Sequence, residues 1–231
     1  MEPALSLALP VVDAITGRRS IRRFLATPID RATIERILAI AARSPSGANM
    51  QPWQVHVVTG AAKARLSERV LAEAQRGEAS PDYTYYPDNW FEPYLARRRR
   101  VGFALYALMG IERHDKGARE AQALENFRFF EAPVGLFVTL DRRLNPGSWI
   151  DCGMFLQSIL LAARSFGLET CAQASWVRHG GTVRAALGLG DDQVLIAGVA
   201  LGHADPSAPE NRLVTDRAPV DAFTTFHERV D

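Results

Sequence analysis

Pro133-Val134-Gly135-Leu136-Phe137-Val138-Thr139-Leu140 is a nearly unbroken apolar run of strand length. Half-buried strands alternate polar and apolar residues, whereas strands covered on both faces read as continuous runs. The stretch therefore predicts a central strand with a layer packed on each face. Downstream, Ser148-Trp149-Ile150-Asp151 matches a capping box and predicts the start of a long core helix, which Gly167 closes. Gln193 to Leu201 (QVLIAGVAL) predicts another buried strand, and Gln54 to Thr59 alternates well enough to be a third.

Helical patterns fill most of the rest. Val11 to Thr16 predicts one or two turns, with Gly17 at a left-handed C′ position. Asp30 suits an N-cap, and Ile34, Ile37, Leu38, Ala41 and Ala42 recur at helical spacing until Ser44-Pro45. Ala61 to Gln75 reads as a surface helix, Val101 to Ile111 as an apolar one, Arg113 to Phe130 as one with charged faces, and Thr182 to Leu187 as a short one. Few strands and many helices predict helices flanking a small mixed sheet.

At 231 residues the chain fits one domain with a large excursion. A formal net charge of +1 gives nucleic-acid binding no global support, so any basic site is local. Trp149 to Phe166 is about as long as a short membrane span, but Asp151, Gln157 and Arg164 would be costly in lipid, so no membrane role is expected. Met1 to Pro10 has no basic n-region and does not read as a signal peptide. Cys152 and Cys171 have no metal-ligand spacing and lie in apolar surroundings, which fits buried reduced thiols and the cytoplasm.

Local chemistry concentrates in four stretches. Arg18-Arg19-Ser20-Ile21-Arg22-Arg23-Phe24 holds four arginines and a serine. If it is extended, Arg18, Ser20 and Arg22 share one face, enough to hold a dianionic phosphate. A solvated basic turn is the plainer alternative. Ser44 to Trp53 (SPSGANMQPW) is a defined loop that offers polar groups and the flat face of Trp53 to a planar ring, or serves as an ordinary helix-to-strand connection. Thr170 to Trp176 (TCAQASW) has the small residues that let a backbone approach a ligand closely. Gly77 to Arg100 carries Tyr83, Tyr85, Tyr86, Trp90, Phe91 and Tyr94 on an irregular segment, suited to a binding wall. Arg97 to Arg100 reads as an exposed, salt-bridging helical face; attraction of an anionic substrate is the alternative.

No G-x-G-x-x-G, Walker loop, H-E-x-x-H or G-x-S-x-G is present, and the five histidines have no ligand spacing. Hydrolase, metalloenzyme and Rossmann readings therefore lack local support.

Together RRSIRRF, SPSGANMQPW and a C-terminal TDRAP resemble the FMN-dependent nitroreductase family, from about Ile15 to Phe223. FFEAPVGLFVTL, GSWIDCGMFLQSILLAARSFGLETCAQAS and AGVALGHADP are similar to its nitrobenzoate and nitroaromatic reductase branch. The resemblance implies an α+β fold with a small mixed, mostly antiparallel sheet, and an intertwined homodimer with FMN at the interface. It implies that residues 76–131 form an excursion over the active site and 203–231 an extension packing on the partner subunit. It assigns Arg18, Ser20 and Arg22 to the FMN phosphate, ribityl chain and ring edge, with Arg19 acting mainly through its backbone. Pro45, Ser46, Gly47 and Asn49 would come from the partner, Gln173, Ala174 and Ser175 would present backbone groups near N5, and Arg217 would make a second phosphate contact. Relatives often have Glu-Gly where this chain has Ala174-Ser175, and some have a lysine where it has Thr215. Tyr83, Tyr86 and Trp90 would wall the substrate pocket.

The activity so implied is two-electron, ping-pong reduction of nitroaromatics by NAD(P)H, to nitroso and hydroxylamine products. Protein groups bind and tune the cofactor, and no protein catalytic residue or metal is assigned. Quinone, flavin, enone or dehalogenating reductases, and a flavin-binding protein without turnover, are the alternatives.

Overall fold

The computed structural model describes residues 9–229; the segment Met1 to Ala8, on which the signal-peptide reading falls, lies outside the described residues. In chain order the helices and strands are α1 (Val11–Gly17), α2 (Arg31–Ala41), β1 (Gln54–Thr59), α3 (Gly60–Gln75), α4 (Tyr94–Leu108), α5 (Lys116–Leu124), β2 (Val134–Asp141), α6 (Pro146–Arg164), β3 (Glu169–Gln173), α7 (Gly180–Leu187) and β4 (Gln193–Gly202). The strands form one antiparallel sheet in the order β1-β2-β4-β3. A parallel bridge from Ser20 to Thr170 extends it with the arginine stretch.

β2 is central, as its apolar run predicts. Val134, Leu136 and Val138 face one way, into a core with Ile34 and Ile37 of α2 and Phe155 and Ile159 of α6. Phe137 faces the other way, into a second core with Val70 of α3, Phe129 and Trp176. Trp176 stacks on Phe129 at 4.5 Å and meets Phe137 edge-on at 4.9 Å. This face is tight: a Cβ at Gly135 would lie 2.4 Å from Phe129 Cζ, and one at Gly198 2.3 Å from Trp176 Cδ1.

Asp30 caps α2 by accepting the Thr33 backbone N–H at 2.7 Å. Several other local expectations are corrected. α6 begins at Pro146, not at Ser148; proline at the first turn has a preset φ and no N–H to lose, and Ser148 is buried inside the helix instead of capping it. Gly17 belongs to α1 and is not left-handed; it is small because the Arg164 guanidinium lies against it, 2.6 Å from where a Cβ would sit. α3 is not merely a surface helix, since Leu66, Val70 and Leu71 are buried. The helix expected over Arg113 to Phe130 is only α5, followed by a tight turn in which Phe129 and Phe130 take positive φ to bury their rings. The TCAQ segment, where the sequence predicts no strand, is part of the edge strand β3.

Cys152 and Cys171 are free and buried, and burial pushes the Cys152 thiol up to about 12. No helix among the described residues is long and apolar enough to cross a membrane.

Candidate active site

The arginine stretch leaves α1 extended, and its backbone is held from three sides. Ile21 N–H donates to Thr170 O (3.1 Å), Phe24 N–H to Phe130 O (3.1 Å), and Arg22 N–H to Asn211 Oδ1 (2.8 Å). Ile21 is 3% exposed, so the Arg19–Ile21–Arg23 face points inward at its centre. Arg23 is spent on Glu210, at 3.5 Å. The opposite face carries Arg18, Ser20 and Arg22, all of which act electrostatically on the Cys171 thiol. Burial raises the thiol's pKa while these three groups oppose the rise. Among the described residues, Arg18, Arg19 and Arg22 have no carboxylate within 4.0 Å.

Arg22 lines a cleft with two lobes, of about 630 and 870 Å³, which share Tyr83, Tyr85, Tyr86, Ala174 and Ser175. The smaller lobe runs from Arg22 past Cys171, Ala172 and Gln173 to Trp149 and Ile196. Gln173 is 2% exposed and its amide is fully engaged: Nε2 donates to Asn126 O at 2.7 Å, and Oε1 accepts from Trp176 Nε1 at 3.3 Å. Its side chain is thereby committed to the protein interior. Ala174 and Ser175 follow in a tight turn (Ala174–His179), so small residues border both lobes.

The aromatic wall is fixed at its root. Tyr83 donates its hydroxyl to Ile196 O at 3.3 Å and meets Trp149 edge-on at 4.7 Å. Burial holds its phenol well above the usual tyrosine value, and does the same more mildly at Tyr86. Trp90 lines neither lobe; it packs behind Tyr86 at 5.2 Å, under the Arg98 guanidinium at 4.7 Å. The larger lobe also reaches His179, which is buried against Phe127. Burial lowers the His179 pKa, and Glu73 Oε2, 3.3 Å from Nδ1, opposes the shift. Glu73 would itself be raised by burial, but the Thr182 hydroxyl bonded to it, with Ser80 and His179 close by, leaves it lowered. The pair is thus a neutral imidazole beside an ionised carboxylate.

The remaining expected residues lie elsewhere. Pro45, Ser46, Gly47 and Asn49 line neither lobe of their own chain. Ser46 Oγ accepts the Gln51 N–H at 2.9 Å, and the Gly47 N–H faces the Asp151 carboxylate at 3.3 Å. Ala48, Asn49 and Gln51 all hold positive φ, as do Phe129 and Phe130 in the turn after α5. Trp53 does not offer its face to a ligand: it stacks on Phe155 at 4.6 Å within the core. Arg217 is exposed and bonds Thr215 Oγ1 at 2.7 Å, apart from the cleft. Among the described residues no group of three metal-ligating side chains is present.

Asn126 and Ile196 line the cleft although nothing in the sequence pointed to them, and Trp149 and Cys171 line it although the sequence suggested only structural roles for them. Trp149, Cys171 and Ile196 are ordinary residues of α6, β3 and β4, and Asn126 comes from the turn after α5; only the folded arrangement of these elements brings them together.

The smaller lobe fits FMN on this structure's own terms. It is of ligand size, mixes polar and apolar lining, and has on its wall Arg22, which has no carboxylate within 4.0 Å among the described residues; Arg18, Arg19 and Ser20 line neither lobe themselves. A sheet-and-helix α+β fold with such a cleft defines a class of small oxidoreductases built around a flat cofactor. The chain belongs to the nitroreductase family, whose sequence profile matches residues 15–203. It is 41% identical over 220 residues to a nitrobenzene nitroreductase of Ectopseudomonas oleovorans, covering 94% of this chain and 96% of that one. It is 40% identical over 228 residues to a 4-nitrobenzoate reductase of Nocardioides sp. strain LMS-CY, covering 95% and 92%. Its fold matches the crystal structure of the FMN and NADPH-dependent nitroreductase NfnB from Sphigopyxis sp. strain HMH with TM-score 0.93 and 45% identity, over 96% and 100% of the two chains.

Proposed function

We propose that this protein is an FMN-dependent oxidoreductase that uses NAD(P)H to reduce nitroaromatic compounds such as nitrobenzene and nitrobenzoates. The observation that carries the reading is the position of Arg22 on the cleft wall, on the same face as Arg18 and Ser20 and beside the Gln173–Ser175 backbone. Bound FMN supplies the two-electron relay between the nicotinamide and the nitro group. Arg18, Ser20 and Arg22 hold the phosphate, the ribityl chain and the ring edge, with Arg19 contributing its backbone. Arg22 would hold fixed positive charge near a flavin bound in this cleft and so favour its reduced, more negative form. Backbone groups of Gln173, Ala174 and Ser175 meet the opposite edge. Tyr83 and Tyr86 shield the cleft from water, and the excursion over residues 76–131 closes it. Pro45, Ser46, Gly47 and Asn49 reach the cleft of a second copy in a homodimer, and Arg217 adds a phosphate contact there. The two buried thiols suit a cytoplasmic setting.

The test is the visible spectrum of the purified protein, followed by anaerobic addition of NADPH and NADH. The expected result is a yellow protein that bleaches and regains its colour with 4-nitrobenzoate. A colour that never bleaches would leave a flavin-binding protein without turnover. A colourless protein that takes up no added FMN would overturn the reading.

A further inference from the structure

Arg164, at the end of α6, is outside the cleft and has no place in the reaction as described above. Its guanidinium nevertheless joins the two points between which Arg18 and Arg19 are strung. Nη1 donates to Asp13 O at 2.8 Å and to Ala14 O at 2.9 Å, which caps the last turn of α1. Nε faces Glu169 Oε1 at 3.5 Å. Glu169 opens β3, and its neighbour Thr170 forms the bridge to Ser20 and accepts the Ile21 N–H. Upstream of Arg18 the chain is therefore tied to Arg164 directly, and downstream of Arg19 it is tied through β3. Gly17 completes the arrangement: a Cβ there would sit 2.6 Å from Nη1 and 2.9 Å from Nη2.

We propose that Arg164 is a positioning residue for the cofactor phosphate, setting the aim of the Arg18 side chain and of the Arg19 backbone without touching the phosphate itself. The proposal rests on the FMN reading above. The planar group suits this place, because Nη1 reaches two carbonyls while Nε, on the far side of the same rigid plane, lies toward a carboxylate; a flexible point-charge ammonium spans the two sides less well. Riboflavin offers the same ring without the phosphate, so it separates phosphate placement from general loss of the site.

The experiment titrates the flavin-free full-length chain with FMN and with riboflavin, following flavin fluorescence, for the natural protein and for Arg164→Met, Arg164→Lys and Gly17→Ala. The expected result for Arg164→Met is an FMN dissociation constant raised about tenfold, equivalent to about 1.4 kcal/mol, with riboflavin affinity nearly unchanged. Arg164→Lys recovers part of the loss. Gly17→Ala is the sharper variant. A contact that only steadies α1 predicts, once the methyl crowds Arg164, a less stable chain whose FMN and riboflavin affinities change equally. The proposal predicts that the new methyl displaces the guanidinium and lowers FMN affinity selectively. Equal losses for FMN and riboflavin, or no loss in both Arg164→Met and Gly17→Ala, overturn it. A natural protein that binds riboflavin but gains nothing from the phosphate overturns it as well. If the natural protein binds neither flavin, the cofactor reading itself falls.

Discussion

Arg22 is the residue at which backbone, charge and cleft meet. Its N–H is held by Asn211, its side chain bonds Ser20 O at 3.2 Å, and the residue lines the smaller lobe. A hydrogen bond to a charged group contributes about 1.5–3 kcal/mol, so Arg22→Gln is expected to weaken FMN binding roughly ten- to a hundredfold in a fluorescence titration. Unchanged affinity would remove Arg22 from the site. The other residue-scale prediction concerns packing. Gly198→Ala would drive a methyl into the buried Trp176 ring, which is already wedged between Phe129 and Phe137. Overpacking of a close-packed core costs about 1–3 kcal/mol, and urea unfolding should show a loss of that order. The Arg18–Ser20–Arg22 face was legible in the sequence because strand alternation leaves few choices. The place of Trp53 was not, since an indole beside a polar loop looks the same in a sequence whether it meets a ligand or, as here, the ring of Phe155.

The aromatic excursion is an element without regular structure before α4, so its order must come from anchors. Asp82 is the main one. Its carboxylate is 3% exposed, and it accepts from Arg184, from Arg142 at 3.0 Å and from the Leu195 N–H at 3.2 Å. Removing one partner of a buried ion pair costs about 3–5 kcal/mol because the other charge is stranded. Asp82→Ala is therefore expected to lose that much stability in urea unfolding, and to raise the Michaelis constant for a nitroaromatic by releasing Tyr83. A variant as stable as the natural protein would show that the excursion is held some other way. Beside this anchor lies the Glu73–His179 pair, joined to the excursion through Ser80 and Thr182. Burial places the folded-state pKa of His179 below its ordinary value of 6.5, with Arg178 adding to the shift and Glu73 opposing it. The unfolded chain thus takes up the proton first as the pH falls, and the associated stability is full above pH 6.5 and lost below it. Unfolding midpoints measured from pH 8 to 5 should fall at the acid end, and His179→Gln should flatten that slope. At this scale the sequence was read well where apolar runs were long, as in β2 and β4. It was read poorly at β3, because Thr170, Cys171 and Ala172 are too small and mixed to declare a strand, and it is pairing with β4 that makes them one. The capping-box pattern at Ser148 misled for a related reason: the helix had already begun at Pro146, and Ser148 packs inward.

At the scale of the molecule, one chain leaves much apolar surface without cover. No residue of α4 is buried, although its second half is apolar in sequence. Phe91 and Tyr94 flank its start, while Phe223 and Phe226 in the tail are 69% and 84% exposed. The tail divides into two parts. Residues up to Arg212 pack on the chain's own arginine stretch, with Asn211 bonding Arg23 O at 2.8 Å and Glu210 pairing with Arg23. Beyond Arg212 the ion pair between Arg100 and Asp216 ties the tail to α4, and both side chains are largely exposed. Exposed pairs contribute about 0–1 kcal/mol, too little to order a segment carrying two bare phenylalanines. Apolar surface of this extent on a segment and a helix linked to each other marks an interface, and a second copy presents the same two elements by symmetry. The chain is therefore expected to sediment at twice its 25.5 kDa mass, and deletion of residues 213–231 to yield a monomer. The loop from Pro45 to Asn49 lines neither lobe of its own chain, so the monomer should also lose FMN affinity, although it retains Arg18, Ser20 and Arg22. A truncated chain that stays dimeric would clear the tail of this role; a truncated monomer that binds FMN as well as the full chain does would show that the cleft is complete within one subunit.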